Sequence, residues 1–330
     1  MSVKNAFRIY RTQLRKYNDQ LQSIADQYHR TLFCVKMDAL RCYTFYGAPV
    51  SQYIGFGMYK MNRFERNQYI TTIRTSRLEP VLNKAPAEEI ETLGNKHLFN
   101  KAFNKYIHRD WLYTPDSTDD EIRRFLSRHE IAVAKPSGGA RGEGVSKLDC
   151  GSALQEGQAF IDRARAQKLI LEVFVRQHPD LSAVNPSSLN TLRISTLRDK
   201  QGVVHVIGAS LRAGGAGSVV DNLHAGGVQY PVDVETGIVI RGGMTHVGKK
   251  GIIFHPSTHM KMIGFQIPNW EQVIANVKEA AAIPPHLRYI GWDVAVTEEG
   301  CEFIEANLAQ GVNGMQQDGV GKYNIIMQYA

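Results

Sequence analysis

Residues 289–307 read YIGWDVAVTEEGCEFIEAN. Two runs rich in apolar and β-branched residues, Tyr289–Thr297 and Cys301–Glu305, are joined by Glu298-Glu299-Gly300. That pattern predicts two strands that pair through a tight turn. Residues two apart in a strand share a face, so Glu305 and Asn307 point the same way, and Asp293 can face them from the neighbouring strand. The flanking residues Val294, Val296 and Ile304 are apolar, and an unpaired acid cluster among them is costly to bury. Three converging oxygen donors suit Mg²⁺, which takes a few carboxylates together with nucleotide phosphates and water. The competing reading is an exposed sheet face with scattered acids.

A second feature lies in residues 135–145, KPSGGARGEGV, after the strand-like run Ile131-Ala-Val-Ala134. No Gly-Lys-Ser/Thr follows and no helix opens, so neither a Walker loop nor a dinucleotide fingerprint fits. The next segment, Gly144–Leu148, reads as a strand. A glycine loop between antiparallel strands is either a plain hairpin tip or a flap whose bare amides close over phosphates. In the second case Lys135 points a cation at them.

The 330 residues allow one large domain or two to three smaller ones. Hydrophobic residues make up 43% and charged residues 22%, a globular balance with no apolar run long enough to span a membrane. The start, MSVKNAFRIYRTQLRK, lacks the apolar core of a signal peptide. Cys34, Cys42, Cys150 and Cys301 are far apart, which argues against a zinc site or a disulfide framework and fits a reducing, cytoplasmic location. The net charge of +7 carries no dense basic run, so an anionic small ligand fits better than nucleic acid.

Phe7, Tyr10, Leu14, Tyr17, Leu21, Ile24 and Tyr28 recur at steps of three and four, the stripe of one long helix that either docks on its own chain or forms a homodimer seam. Residues 1–95 are expected to be an α-rich region. Helices are expected over 87–93, from there to about 107, from a start within 115–121 to about 128, and over 153–167. Strands are expected over 131–135, 145–148, 168–175, 191–197, 203–211, 228–234 and 238–241, and a helix over 270–282. The class is α+β, with a lid subdomain at about 116–178 and a C-terminal sheet subdomain at about 188–330.

Taken in order, these elements resemble the ATP-grasp superfamily, two α+β subdomains gripping ATP. The likeness spans Lys96 in Leu93-Gly-Asn-Lys96, the lid lysine Lys135 with the glycine-rich loop 137–144, the segment Leu171-Glu172-Val-Phe-Val175, and Asp293, Glu305 and Asn307. Asn190-Thr-Leu-Arg193 and Ala209–Gly227 are similar to ribosomal-protein glutamate ligases. Lys105–Leu112, Gln177-His178-Pro, His255-Pro and Ile290-Gly-Trp-Asp293 bring the chain closest to the sugar-transfer-associated ATP-grasp family. The residues after Asn307, Leu308-Ala-Gln310-Gly311, lack the Pro-Gly of many such ligases.

The resemblance implies ATP and Mg²⁺ as cofactors. Lys96 and Lys135 would hold phosphates, with Ser137, Gly138 and Gly139 in the flap. The backbone near Glu172 and Val175 would meet adenine, with His178 or Asp180 toward the ribose. Asp293, Glu305 and Asn307 would hold the metal. It further implies a carboxylate–amine ligase that forms an acyl phosphate, with Arg193 and Arg212 stabilising the charge that develops. The substrates would be a small-molecule or peptide carboxylate and an amine, in cell-surface polysaccharide or secondary-metabolite pathways. Asn222 and His224 sit in a loop with paired glycines; His224 is either an acid–base group or structural. A hydroxyl kinase and a nucleotide-binding scaffold without turnover are the alternatives.

Overall fold

The computed structural model describes residues 3–138, 144–215, 227–245 and 250–330. It opens with α1 (Val3–Lys16), α2 (Asn18–Gln27), α3 (Leu32–Tyr46), α4 (Val50–Phe56), α5 (Arg63–Gln68) and α6 (Thr72–Leu82). The expected single long helix is two: Tyr17, at φ −105° and ψ 14°, separates α1 from α2. From Tyr10 to Tyr28 the apolar stripe nevertheless faces inward. Tyr10, Leu21 and Ile24 are buried in a cluster with Val35, Ala39, Val50 and Tyr53, so the stripe packs on its own chain. Burying such side chains, at about 1.5–3 kcal/mol each, holds this helical layer together more than helix propensity does.

α7 (Ala87–Gly94) and α8 (Lys96–Ala102) follow. Asn95 divides them and caps α8 by accepting from the amides of His97 and Leu98. Next come β1 (Trp111–Tyr113), α9 (Asp119–Arg128), β2 (Ile131–Pro136), β3 (Ser146–Asp149), α10 (Cys150–Glu156), α11 (Gln158–Ala166) and β4 (Leu169–Glu172). The expected start of α9 is a full capping box between Thr118 and Glu121. The helix expected over 153–167 breaks at Gly157, whose φ of +61° suits a residue without Cβ. β4 ends at Glu172, three residues before the expected end. These strands form a four-stranded sheet ordered β1-β4-β2-β3, and α9, α10 and α11 bury Ile122, Phe125, Phe160 and Ile161 with Ala132, Ala134 and Leu171 of the sheet.

After α12 (Pro179–Val184) come β5 (Thr191–Arg198), β6 (Val204–Ala213), β7 (Val228–Val232), β8 (Gly243–Thr245), β9 (Lys250–Ile252), α13 (Trp270–Ala282), β10 (Tyr289–Thr297), β11 (Gly300–Asn307) and α14 (Tyr323–Tyr329). The strand expected over 238–241 is reduced to isolated bridges, Val239 to Val232 and Ile238 to Gln266. The second sheet is seven-stranded and antiparallel, ordered β11-β10-β5-β6-β7-β8-β9. One face carries Leu192, Ile194, Leu211, Trp292, Val294 and Phe303, in one cluster with Val273, Val277 and Ala280 of α13. At one end of the other face Leu197 and Tyr289 pack with Ile70 and Leu82 of the helical layer, and the rest of it carries polar and charged side chains.

Candidate functional site

Register decides what this second face presents. Asp293 on β10 lies opposite both Glu305 on β11 and Arg193 on β5. Arg212 lies opposite Thr191, two residues before Arg193, so it shares Arg193's face, and Gln229 on β7 lies opposite Arg212. Asn307 pairs with Gly291 two residues before Asp293. Strand alternation therefore brings Asp293, Glu305, Asn307, Arg193, Arg212 and Gln229 to one side of the sheet. The pairing shifts between Asp293 and Val294, where Ile304 is the extra residue. This bulge returns Glu302, opposite Ala295, to the face of Glu305, where plain alternation would put it on the reverse.

Asp293 is 4% exposed and held by both arginines. Arg193 Nη2 and Arg212 Nη1 each donate to its Oδ2 at 2.9 Å. Arg193 Nε lies 2.5 Å from Oδ1, yet neither atom counts as hydrogen-bonded, so that contact is ionic and off the N–H axis. Burial raises the proton affinity of Asp293, but Arg193 and Arg212 outweigh it and hold the carboxyl below the usual carboxylate range. For Glu305, burial and then the charge of Asp293 push the carboxyl up, while Asn307, donating Nδ2–H to its Oε1 at 3.2 Å, pulls the other way. Two abutting carboxylates of unequal acidity, with an amide beside them, form a donor set that fits a hard divalent cation. Among the described residues no group of three or more His, Cys, Asp and Glu side chains could hold a metal, so this set depends on its asparagine.

An open cavity of about 810 Å³ lies over these groups. Lys96, Arg193, Arg212, Glu305 and Asn307 line it. Gln52 of α4, Thr72 of α6 and Asn313 close the side next to the helical layer. Gln52 fixes that wall: its Nε2 donates to Asn313 Oδ1 at 2.9 Å and its Oε1 accepts from Thr72 N at 3.0 Å. Nothing in the sequence pointed to Gln52 or Thr72, whose region offered only composition, or to Asn313, which lies beyond the recognised strands.

The four-stranded sheet meets the cavity through Lys96, whose backbone N–H donates to Ser137 O at 3.0 Å. Lys135, on β2, is 5% exposed, and its Nζ sits 2.6 Å from Glu172 Oε1. Burial, Arg109 and Lys96 together lower the proton affinity of Lys135 more than Glu172 raises it. Glu172 thus uses its side chain as counter-ion to a lysine. Ser137 is buried, and Gly138 borders open space. Val175 lies beyond β4 and is half-buried. His178 is the N-cap of α12, accepting from Asp180 N at 3.2 Å, while its own N–H donates to Val296 O at 2.7 Å. It does not line the cavity. Gly139, Asn222 and His224 lie outside the described residues. His255 is fully buried and bonded to Gly214 O at 3.0 Å, a packing role.

The model of the sugar-transfer associated ATP-grasp family matches residues 159–323, half of the chain. The chain belongs to this family. It is therefore an ATP-grasp protein of the α+β class, and its N-terminal region is helical. No curated protein matches it in sequence. Among solved structures, it is similar to the ATP-grasp ligase PsnB complexed with a minimal precursor, at 16% identity and TM-score 0.43, over 74% of this chain and 63% of that one. Others are the ADP complex of purK, an N5-carboxyaminoimidazole ribonucleotide synthetase (12%, 0.45, 76% and 54%), and the D-alanine-D-alanine ligase from Coxiella burnetii (12%, 0.40, 71% and 55%). The chain spans less than two thirds of the length of each. In this ATP-grasp chain, no helix among the described residues is long and apolar enough to cross a membrane.

Proposed function

We propose that the protein joins a carboxylate to an amine at the expense of ATP, through an acyl phosphate. The observation that carries this reading is the single cavity where Lys96, Arg193 and Arg212 meet Glu305 and Asn307, beside the buried Asp293. Phosphoryl transfer asks a protein mainly for position and charge neutralisation, and this face offers both.

In this reading Lys96 and Lys135 hold the nucleotide phosphates, with Ser137, Gly138 and Gly139 in the flap above. Backbone groups near Glu172 and Val175 bind the adenine edge. Asp293, Glu305 and Asn307 would hold Mg²⁺, which when bound neutralises charge on the β- and γ-phosphates. The substrate carboxylate attacks the γ-phosphorus, ADP leaves, and an acyl phosphate remains. The amine then attacks the acyl carbon, the tetrahedral oxyanion collapses, and inorganic phosphate departs with the amide formed. Arg193 and Arg212 would stabilise that oxyanion, and their bonds to Asp293 fix their guanidinium planes before charge develops. Asn222 and His224 are proposed to approach the same centre from their loop.

Release of ADP is measured with pools of amino acids and small carboxylates, with and without amines. Amine-dependent ADP and phosphate release, and an acyl hydroxamate trapped by hydroxylamine, are expected. Phosphate left on a hydroxyl product with no hydroxamate would replace the ligase by a kinase. Tight MgATP binding with no turnover on any pool would leave a scaffold.

A further inference from the structure

We propose that Arg109 is a positioning residue for the nucleotide site, fixing Lys135 through Glu172. The inference rests on the reading of Lys135 as a phosphate ligand and goes beyond it by naming what holds that lysine in place. Four charged side chains form a chain. Lys135 Nζ lies 2.6 Å from Glu172 Oε1, and Arg109 Nε donates to the other oxygen, Oε2, at 2.9 Å. Arg109 Nη1 donates to Glu302 Oε1 at 2.7 Å and to Phe303 O at 2.9 Å, and Arg109's own backbone N–H reaches Glu302 Oε1 at 3.0 Å. Lys135, Arg109, Glu172 and Glu302 are 5%, 7%, 9% and 4% exposed, so two cations and two anions balance with almost no water.

Geometry follows from that chain. Glu172 stands on β4 of the four-stranded sheet, whereas Glu302 and Phe303 stand on β11, the strand that carries Glu305 and Asn307. Arg109 is therefore the link that sets the Glu172 carboxylate relative to the strand bearing the proposed metal ligands. Each oxygen of Glu172 has one cationic partner, which fixes its rotamer, and that rotamer fixes the ammonium at the end of a flexible four-carbon stem. Arg109, like Lys135, does not line the open cavity, and its side-chain bonds end on Glu172, Glu302 and Phe303, so any effect on nucleotide passes through its partners. A lysine in its place offers one point charge and cannot meet Glu172, Glu302 and a carbonyl in one plane. Buried ion networks are poor sources of stability compared with apolar packing, which makes placement the better account of this one.

The test is a double-mutant cycle on the full chain, with MgATP binding measured by calorimetry. Arg109→Gln is expected to weaken MgATP about tenfold, and Arg109→Lys to recover only part of that loss. With Lys135→Ala already present, Arg109→Gln should change affinity by less than about twofold, because residues that act as a unit are not additive. Since Arg109→Gln leaves two buried carboxylates short of a cation, Arg109→Gln/Glu302→Gln provides a charge-balanced variant that folds more readily. It is expected to stay weak. Wild-type affinity in that double variant would reduce Arg109 to charge balance and overturn the proposal. So would an Arg109→Gln loss that persists in full without Lys135. A wild-type chain that binds no MgATP takes the nucleotide reading down as well; one that binds it, with Arg109 variants unaffected, takes down this inference alone.

Discussion

At the scale of single residues, the clearest expectation concerns Glu305. Its carboxyl is already pushed up by burial and by Asp293, so without a cation it adds repulsion more than cohesion. Glu305→Ala should therefore leave the thermal midpoint of the ligand-free protein within about 2 °C while lowering ATP turnover by about 10²–10³-fold. Full activity in that variant would end the metal assignment. A second residue, Glu79 in α6, responds to pH without touching the cavity. Burial lifts its carboxyl to about 7, with the phenol of Tyr289 nearby. The folded state thus holds a proton that the unfolded chain releases near its ordinary value, so stability is greatest below about pH 4.5 from this group and falls as pH rises through about 7. Glu79→Gln should then stabilise the protein at pH 8 by about 1 kcal/mol, allowing for its partial exposure, and have little effect at pH 5. Urea midpoints at the two pH values check it, and equal shifts at both would refute the assignment.

Elements explain which of these residues were legible. The tight turn at Glu298–Gly300 sets β10 against β11, so the shared face of Asp293, Glu305 and Asn307 was readable from alternation, whereas Arg193 and Arg212 came only through the resemblance, because nothing in the sequence sets β5 between β10 and β6. Glu302 was not readable, because the bulge at Ile304 inverts the rule for every residue before it. Arg109 was visible only as part of a motif; nothing in its neighbours shows that a strand about 190 residues away supplies its carboxylate. The helical layer was legible as helix but not as cavity wall, since its polar contacts are long-range amide pairs. Gln316 illustrates them. It is 2% exposed and treats Ile70 as a strand partner, accepting from its N–H and donating to its carbonyl, both at 2.8 Å, while also accepting from Lys322 N at 3.1 Å. Gln316→Met keeps the length and removes these bonds, leaving buried backbone groups unpaired. A loss of about 3–5 kcal/mol in urea unfolding is expected. A loss under about 1 kcal/mol would mean that water reaches the seam.

For the whole molecule, the question is whether the chain from residue 96 onward stands alone, as the sequence boundary near residue 95 invites one to suppose. The packing argues that it does not. Ile70 and Leu82 from the helical layer are buried in one cluster with Leu197, Ile207, Tyr289, Val312, Met315 and Ile326 of the sheet side. Asn83 caps the start of β10, accepting from the N–H groups of Arg288 and Tyr289 and donating to Tyr289 O at 2.7 Å. Tyr69 donates to Gly319 O at 2.9 Å, and Arg74 lies over the Tyr323 ring. Removing residues 1–95 would uncover apolar side chains worth about 1.5–3 kcal/mol each and orphan several backbone groups at once, against a total stability of about 5–15 kcal/mol for an ordinary domain. A 96–330 fragment should therefore be recovered as aggregate, or as a species that binds hydrophobic dyes and melts without cooperativity. Co-expression with residues 1–95 should restore soluble, cooperatively unfolding material. The cavity shares that dependence, since Gln52 and Thr72 close one side of it. If the fragment alone were monomeric, melted within about 5 °C of the full chain and bound MgATP as tightly, the helical layer would be an appendage and the shared cluster a weak contact.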